Sequence, residues 1–143
     1  MAAFSLTACE IEDDGPGVVQ VLAEVTDADL PESFEEGELY ELKFTYLLPD
    51  ACHTGIGLHA RRGTTEAERR NIYVAGVASR PADQTTCNIE EDDLEVEGSF
   101  PIRIDDDQPF TFYLWTGVDV DGKDIYTQVV VPVGETEPTT TQV

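Results

Sequence analysis

Cys9, Cys52 and Cys87 are the thiols of this chain, and His53 and His59 are its imidazoles. Cys52 and His53 are adjacent, which invites a metal reading. Structural zinc sites, however, separate cysteines by about two to four residues and histidines by about three to five, and a side-by-side Cys-His pair does not fit that spacing. Neither histidine has a nucleophile to activate: the chain contains no G-x-S-x-G, no H-E-x-x-H and no glycine-rich phosphate loop. The 30 acidic residues could be paired on paper as a glycosidase acid and base, but no local pattern singles two of them out. The residue types therefore predict a protein without catalysis.

Three further groupings could bind rather than react. Asp119, Asp121 and Asp124, with Gly122 between them, resemble half of a calcium loop, in which carboxylate oxygens surround the ion and glycine makes the sharp turn. The closing glutamate is missing, and a hairpin in which Asp-Gly supplies positive φ is the simpler reading. Arg61, Arg62, Arg69 and Arg70 hold half of the eight positive charges and could dock an acidic partner through their guanidinium forks. The plainer alternative is local neutralisation of Glu66, Glu68, the acidic 35–38 turn and Asp105, Asp106 and Asp107. Tyr73, Tyr113, Trp115 and Tyr126 lie opposite in parity to the apolar positions of their segments. Aromatics aligned on one sheet face can form a sugar-stacking platform, although they more often pack beneath loops or beside an edge strand.

Strands must position these groups, because the apolar residues recur with period two. Val19, Val21, Ala23 and Val25 form one series, and Tyr40, Leu42, Phe44, Tyr46 and Leu48 another. Ile56, Leu58 and Ala60 form a shorter series, and residues 72–79 are an apolar run with no evident register. Leu94, Val96, Phe100, Ile102 and Ile104 follow, then Phe110, Phe112 and Leu114, then Ile125, Val129, Val131 and Val133. Seven strands separated by turn signals predict an all-β fold, an immunoglobulin- or fibronectin-III-like antiparallel sandwich over residues 18–133, with a partly closed barrel as the alternative. Thr65 and Glu68 have capping-box spacing and predict one or two helical turns in a connection. Residues 10–17 read as an acidic flexible tether and 134–143 as a disordered tail. If successive strands alternate direction, the connections at 49–55, 81–93 and 117–124 gather at one end, where the tether also enters.

A net charge of −22 argues against nucleic acid, whose phosphates are bound by lysine and arginine. It equally argues against a domain lying on an anionic bilayer through its own surface. No stretch approaches the roughly 18–20 apolar residues needed to span a membrane.

Leu6-Thr7-Ala8-Cys9, followed by Glu10, Glu12, Asp13 and Asp14, resembles a bacterial lipobox and the acidic surface-export signal behind it. Residues 1–9 then read as the remnant of a lipoprotein signal peptide, and Cys9 as the acylated residue. With Cys9 given to lipid, Cys52 and Cys87 remain as a pair, and an oxidising compartment predicts a disulfide between them. The layout from Cys9 through Leu48-Pro49-Asp50-Ala51-Cys52 to the Trp115 hairpin is similar to that of small Bacteroidota-type outer-membrane lipoproteins with one Ig-like domain. That resemblance implies attachment to the bilayer through Cys9 and a non-catalytic binding or accessory role beside a cell-surface protein partner. The alternative function is a calcium-dependent carbohydrate-binding or adhesion module; no other cofactor is implied.

Overall fold

The computed structural model describes residues 17–84, 86–90 and 93–134. Cys9, Glu91, Asp92, nearly all of the proposed tether and nearly all of the proposed tail lie outside the described residues. The chain is all-β and contains β1 (Val18–Asp29), β2 (Leu39–Leu47), β3 (Thr54–Arg62), β4 (Asn71–Pro81), β5 (Glu95–Arg103), β6 (Phe110–Val118) and β7 (Asp124–Val131), with no helix among the described residues. The Thr65–Arg70 segment forms a hydrogen-bonded turn rather than a helix. The Glu68 N–H donates to the Thr65 carbonyl at 3.0 Å and to its Oγ1 at 3.2 Å, so the capping interaction forms without a helix to cap.

β1 belongs to two layers. Its first half, Val18 to Ala23, pairs with β4, and its second half, from Glu24, pairs with β2 across a register shift between Val25 and Asp27. One layer is therefore β5-β2-β1 and the other β3-β4-β6-β7 plus the start of β1, joined where β1 crosses over. Every pairing between these strands is antiparallel except β4–β6. That exception follows from strict alternation of direction, since two even-numbered strands that become neighbours must run parallel. An immunoglobulin sandwich sets its third strand beside the sixth; here the fourth takes that place.

Between the layers the predicted inward residues meet. Val25, Leu42, Phe44, Tyr46, Ile102, Phe110, Phe112 and Leu114 are buried together, and they are joined by Ile72 and Val74 from the run whose register the sequence left open. Phe34, from the β1–β2 connection, closes the core against the rings of Tyr40, Phe110 and Phe112. Its backbone is fixed by a bond from its N–H to the Pro132 carbonyl at 2.8 Å and one from Gly134 N–H to its own carbonyl at 2.7 Å. In the 72–79 run, Ile72, Val74, Gly76 and Ala78 face the core, and Tyr73, Ala75 and Val77 take the opposite parity.

β3 departs from the expected alternation. A bulge between Gly55 and Gly57 leaves Ile56 50% exposed, and Ala60 is exposed as well. Buried Tyr46 accounts for this local shape. Its hydroxyl accepts the Gly57 N–H at 3.1 Å, Gly57 has φ of 141°, and a Cβ on Gly55 would lie 2.7 Å from that hydroxyl. A side chain at either position would be strained or would clash. Ile125, also expected inward, is 44% exposed beside a second bulge at Trp115/Gly117.

Candidate functional site

Four strands build one aromatic array on the outer face of the β3-β4-β6-β7 layer. Tyr73 and Tyr113 are direct partners in the parallel β4–β6 pairing, and their rings stack at 4.6 Å with 13° between planes. Tyr126 of β7 meets both rings edge-on, with centroids 5.4 Å and 6.2 Å away. Arg61, the β3 partner of Tyr73, lays its guanidinium 4.5 Å over the Tyr73 ring. Such ring pairs contribute about 0.5–1.5 kcal/mol each beyond burial. Arg61, Tyr73 and Tyr113 thus form a continuous stack across three strands.

Trp115 stands two residues along β6 from Tyr113 and opposite Tyr126. Its Nε1–H donates to Asp124 Oδ1 at 3.0 Å. Burial of the Tyr126 phenol, with the Asp124 carboxylate beside it, raises the Tyr126 pKa above the ordinary tyrosine value. The hydroxyl therefore stays protonated and able to donate well into the alkaline range.

A groove of about 190 Å³ opens beside this array. Its floor is Ala75, which is only 7% exposed although it shares the parity of Tyr73. Tyr73, Trp115 and Tyr126 line one part of it and Leu22 and His59 another, with Arg61 and Asp124 also at the wall. The concavity comes from an exchange of neighbours along β4. Through Val74 the strand is paired with β6, from Gly76 onward it is paired with β1, and Ala75 falls in the gap. A residue with almost no side chain at that junction leaves space that the flanking aromatics enclose.

Parity pointed to the four aromatics. Leu22 and Ala75 carried no signal in the sequence, because their place depends on which strand lies beside β4; Arg61 stood out only as part of the basic cluster, not as a neighbour of these rings. Asp124 was grouped with the acidic turn by adjacency, whereas its carboxylate is directed to Trp115.

The remaining candidates are as follows. Asp119 Oδ1 accepts the backbone N–H groups of Asp121 at 2.8 Å and Lys123 at 3.0 Å, an arrangement internal to the β6–β7 hairpin. Gly122 supplies the positive φ, 83°. Among the described residues, Asp119, Asp121 and Asp124 do not bring three ligand atoms within 4.8 Å of one another; Asp50, Cys52 and Cys87 do. Those two sulfurs are joined in the Cys52–Cys87 disulfide, with Cα atoms 5.8 Å apart, so they are not thiolate ligands. The neighbouring Asp50 carboxylate accepts the Cys52 N–H at 3.0 Å and bonds His53 Nδ1 at 2.7 Å. The bond to His53 is the main cause holding its pKa below the usual carboxylate value. At the opposite end of the sandwich Arg62 and Arg69 both reach Asp105, at 2.6 Å and 2.9 Å, and Arg70 lies 3.6 Å from Asp106. Arg62 is the main cause lowering the Asp105 pKa. Three of the four clustered arginines are thus engaged with the β5–β6 connection, and Arg61 with Tyr73.

Comparison with protein-family models, curated proteins and solved structures gives no match to this chain.

Proposed function

We propose that this protein is an extracytoplasmic, lipid-anchored domain that binds rather than catalyses, serving as an accessory subunit of a cell-surface assembly. The observation that carries this reading is the Cys52–Cys87 disulfide. It joins the β2–β3 and β4–β5 connections at the same end of the sandwich where β1 begins. A disulfide of this kind persists outside the reducing cytosol, which agrees with the lipobox-like Leu6-Thr7-Ala8-Cys9. The aromatic groove supports the binding half of the proposal: it is lined by rings, and its carboxylate already accepts from Trp115.

The test is mass spectrometry of the native protein extracted in detergent from the membranes of the cells that make it. The proposal expects acyl chains on Cys9, a linked Cys52–Cys87 pair and a companion protein recovered in stable proportion. A native chain that partitions into water with three free thiols overturns it.

A further inference from the structure

We infer that the groove over Ala75 is a calcium-independent site for the terminal ring of a neutral glycan. The inference deepens the binding role proposed above and rests on it only for the direction in which the site faces. Four observations converge on this ligand class. First, Trp115 and Tyr126 give the groove an aromatic wall beside the Arg61–Tyr73–Tyr113 stack, whose central ring has both faces covered, and the C–H faces of a pyranose ring are complementary to the negative faces of aromatic rings.

Second, the polar groups around that wall suit hydroxyls, which both donate and accept. Arg61 donates, His59 does either, and Asp124 and the protonated Tyr126 hydroxyl accept and donate respectively. Asp124 already holds the indole N–H, but a carboxylate accepts about four hydrogen bonds, so it retains capacity for a ligand. Third, about 190 Å³ is below the roughly 300–1,000 Å³ of pockets that enclose drug-sized ligands. One ring fits, with the rest of a chain leading out across the open face. Fourth, charge selects against ionic ligands. The net charge of −22 repels polyanions, while the cation seat over Tyr73 is filled by Arg61.

Trp115 is the only tryptophan in the chain, so indole emission, excited beyond the tyrosine absorption band, reads this site alone. The full chain is titrated, in calcium and again in EDTA, with cellohexaose, xylohexaose, maltohexaose and laminarihexaose, and separately with oligogalacturonate and choline. Calorimetry repeats each titration. A saturable change in Trp115 emission with at least one neutral oligosaccharide is expected. Asp124→Asn and Tyr126→Phe should each weaken it about tenfold with unchanged circular dichroism, and Ala75→Leu should block it. No signal and no heat from any neutral oligosaccharide overturns the inference. So does binding of only a charged probe, binding lost in EDTA, or an affinity that Asp124→Asn and Tyr126→Phe leave unaltered. Failure here, with an acylated chain still recovered beside a companion, refutes the glycan site and leaves the anchored role standing. Glycan binding by a native chain without acyl groups does the reverse.

Discussion

Removing the disulfide tests how the small domain holds together. Cys52 and Cys87 are 35 residues apart, and the loop they close contains the whole β3–β4 hairpin. In the chain-entropy description, closing a loop of that length withdraws about 13 cal/mol/K from the unfolded ensemble, or about 4 kcal/mol at room temperature. Little of the native structure depends directly on the bridge. The turn before β3 is held by Asp50 through Cys52 N–H and His53, and β3 and β4 are paired from Thr54–Ser79 to Arg62–Ile72 without it. The double variant Cys52→Ser/Cys87→Ser should therefore keep the fold and lose stability through the unfolded state. A loss of that size, in a domain between those that shift about 2–4 °C and about 4–8 °C per kcal/mol, corresponds to a Tm lower by roughly 12–20 °C.

The assay is differential scanning calorimetry of the oxidised full chain and the double variant at one pH, with near-UV circular dichroism to confirm that the variant is packed. Stopped-flow refolding adds a second reading. Removing the bridge slows refolding where the transition state has already brought the two connections together, and quickens unfolding where they meet only later. A Tm within about 4 °C of the parent, under about 1 kcal/mol, would refute the reasoning.

Tyr46→Phe should cost about 1–2 kcal/mol in chemical denaturation, because the half-buried Gly57 N–H loses its acceptor. Gly76→Ala should cost about 1–3 kcal/mol or more, since its Cβ would collide with the Tyr46 ring; an unchanged midpoint in either variant contradicts the packing described. The Asp105 carboxylate is 40% exposed, so solvent screening limits its two arginine pairs to about 0.5–1 kcal/mol, read as the gap between the parent and Asp105→Asn. The Asp105 pKa is depressed in the folded chain, so this gap should be full above the ordinary value of about 3.9. It should close as pH falls through the folded pKa, and a gap that instead grows on acidification has the wrong sign. Millimolar Ca²⁺ should leave the Tm unchanged, because Asp119 is used by its own hairpin and Asp124 by Trp115; a rise abolished by Asp121→Ala would restore the calcium loop.

The strands were legible because period-two alternation reports one buried face, and the series through Phe44, Tyr46, Ile102 and Phe112 does face the core. The opposing end placement of Arg62 and Asp105 was legible for a related reason, since strands that alternate direction fix which connections share an end. Ile56 was misread because a bulge breaks the period locally, and this bulge answers to Tyr46, which is distant in sequence. The division of β1 between two layers was also hidden, as Val19 to Val25 alternates smoothly through the crossing at Ala23 and Glu24. Aromatic parity identified the wall of the candidate site but not its concavity. That concavity exists because β4 exchanges β6 for β1 at Ala75, and strand adjacency is a tertiary property that no local pattern encodes.

Distance and charge connect the groove to the proposed anchor. Leu22 follows Val18 by four residues in an extended strand, so the groove lies about 13 Å along β1 from its first residue. The nine residues from Cys9 to Val18 reach at most about 30 Å. Acylation of Cys9 would therefore keep the groove within about 45 Å of the bilayer. Asp50, Asp83, Glu90, Asp93, Asp119 and Asp121 lie in the connections at the end where β1 begins, against Arg80 and Lys123 nearby. Anionic headgroups repel such an end over a Debye length of about 10 Å at moderate salt and about 30 Å in dilute buffer. In an acylated chain the acidic end should hold the domain off the lipid, leaving the groove clear of the surface. Energy transfer from Trp115 to a dansyl lipid measures that stand-off for the acylated chain. In dilute buffer it should be weaker on anionic than on zwitterionic vesicles, and the two should converge as salt is added. Equal transfer on both vesicles in dilute buffer would show that the acidic end does not set the height of the domain.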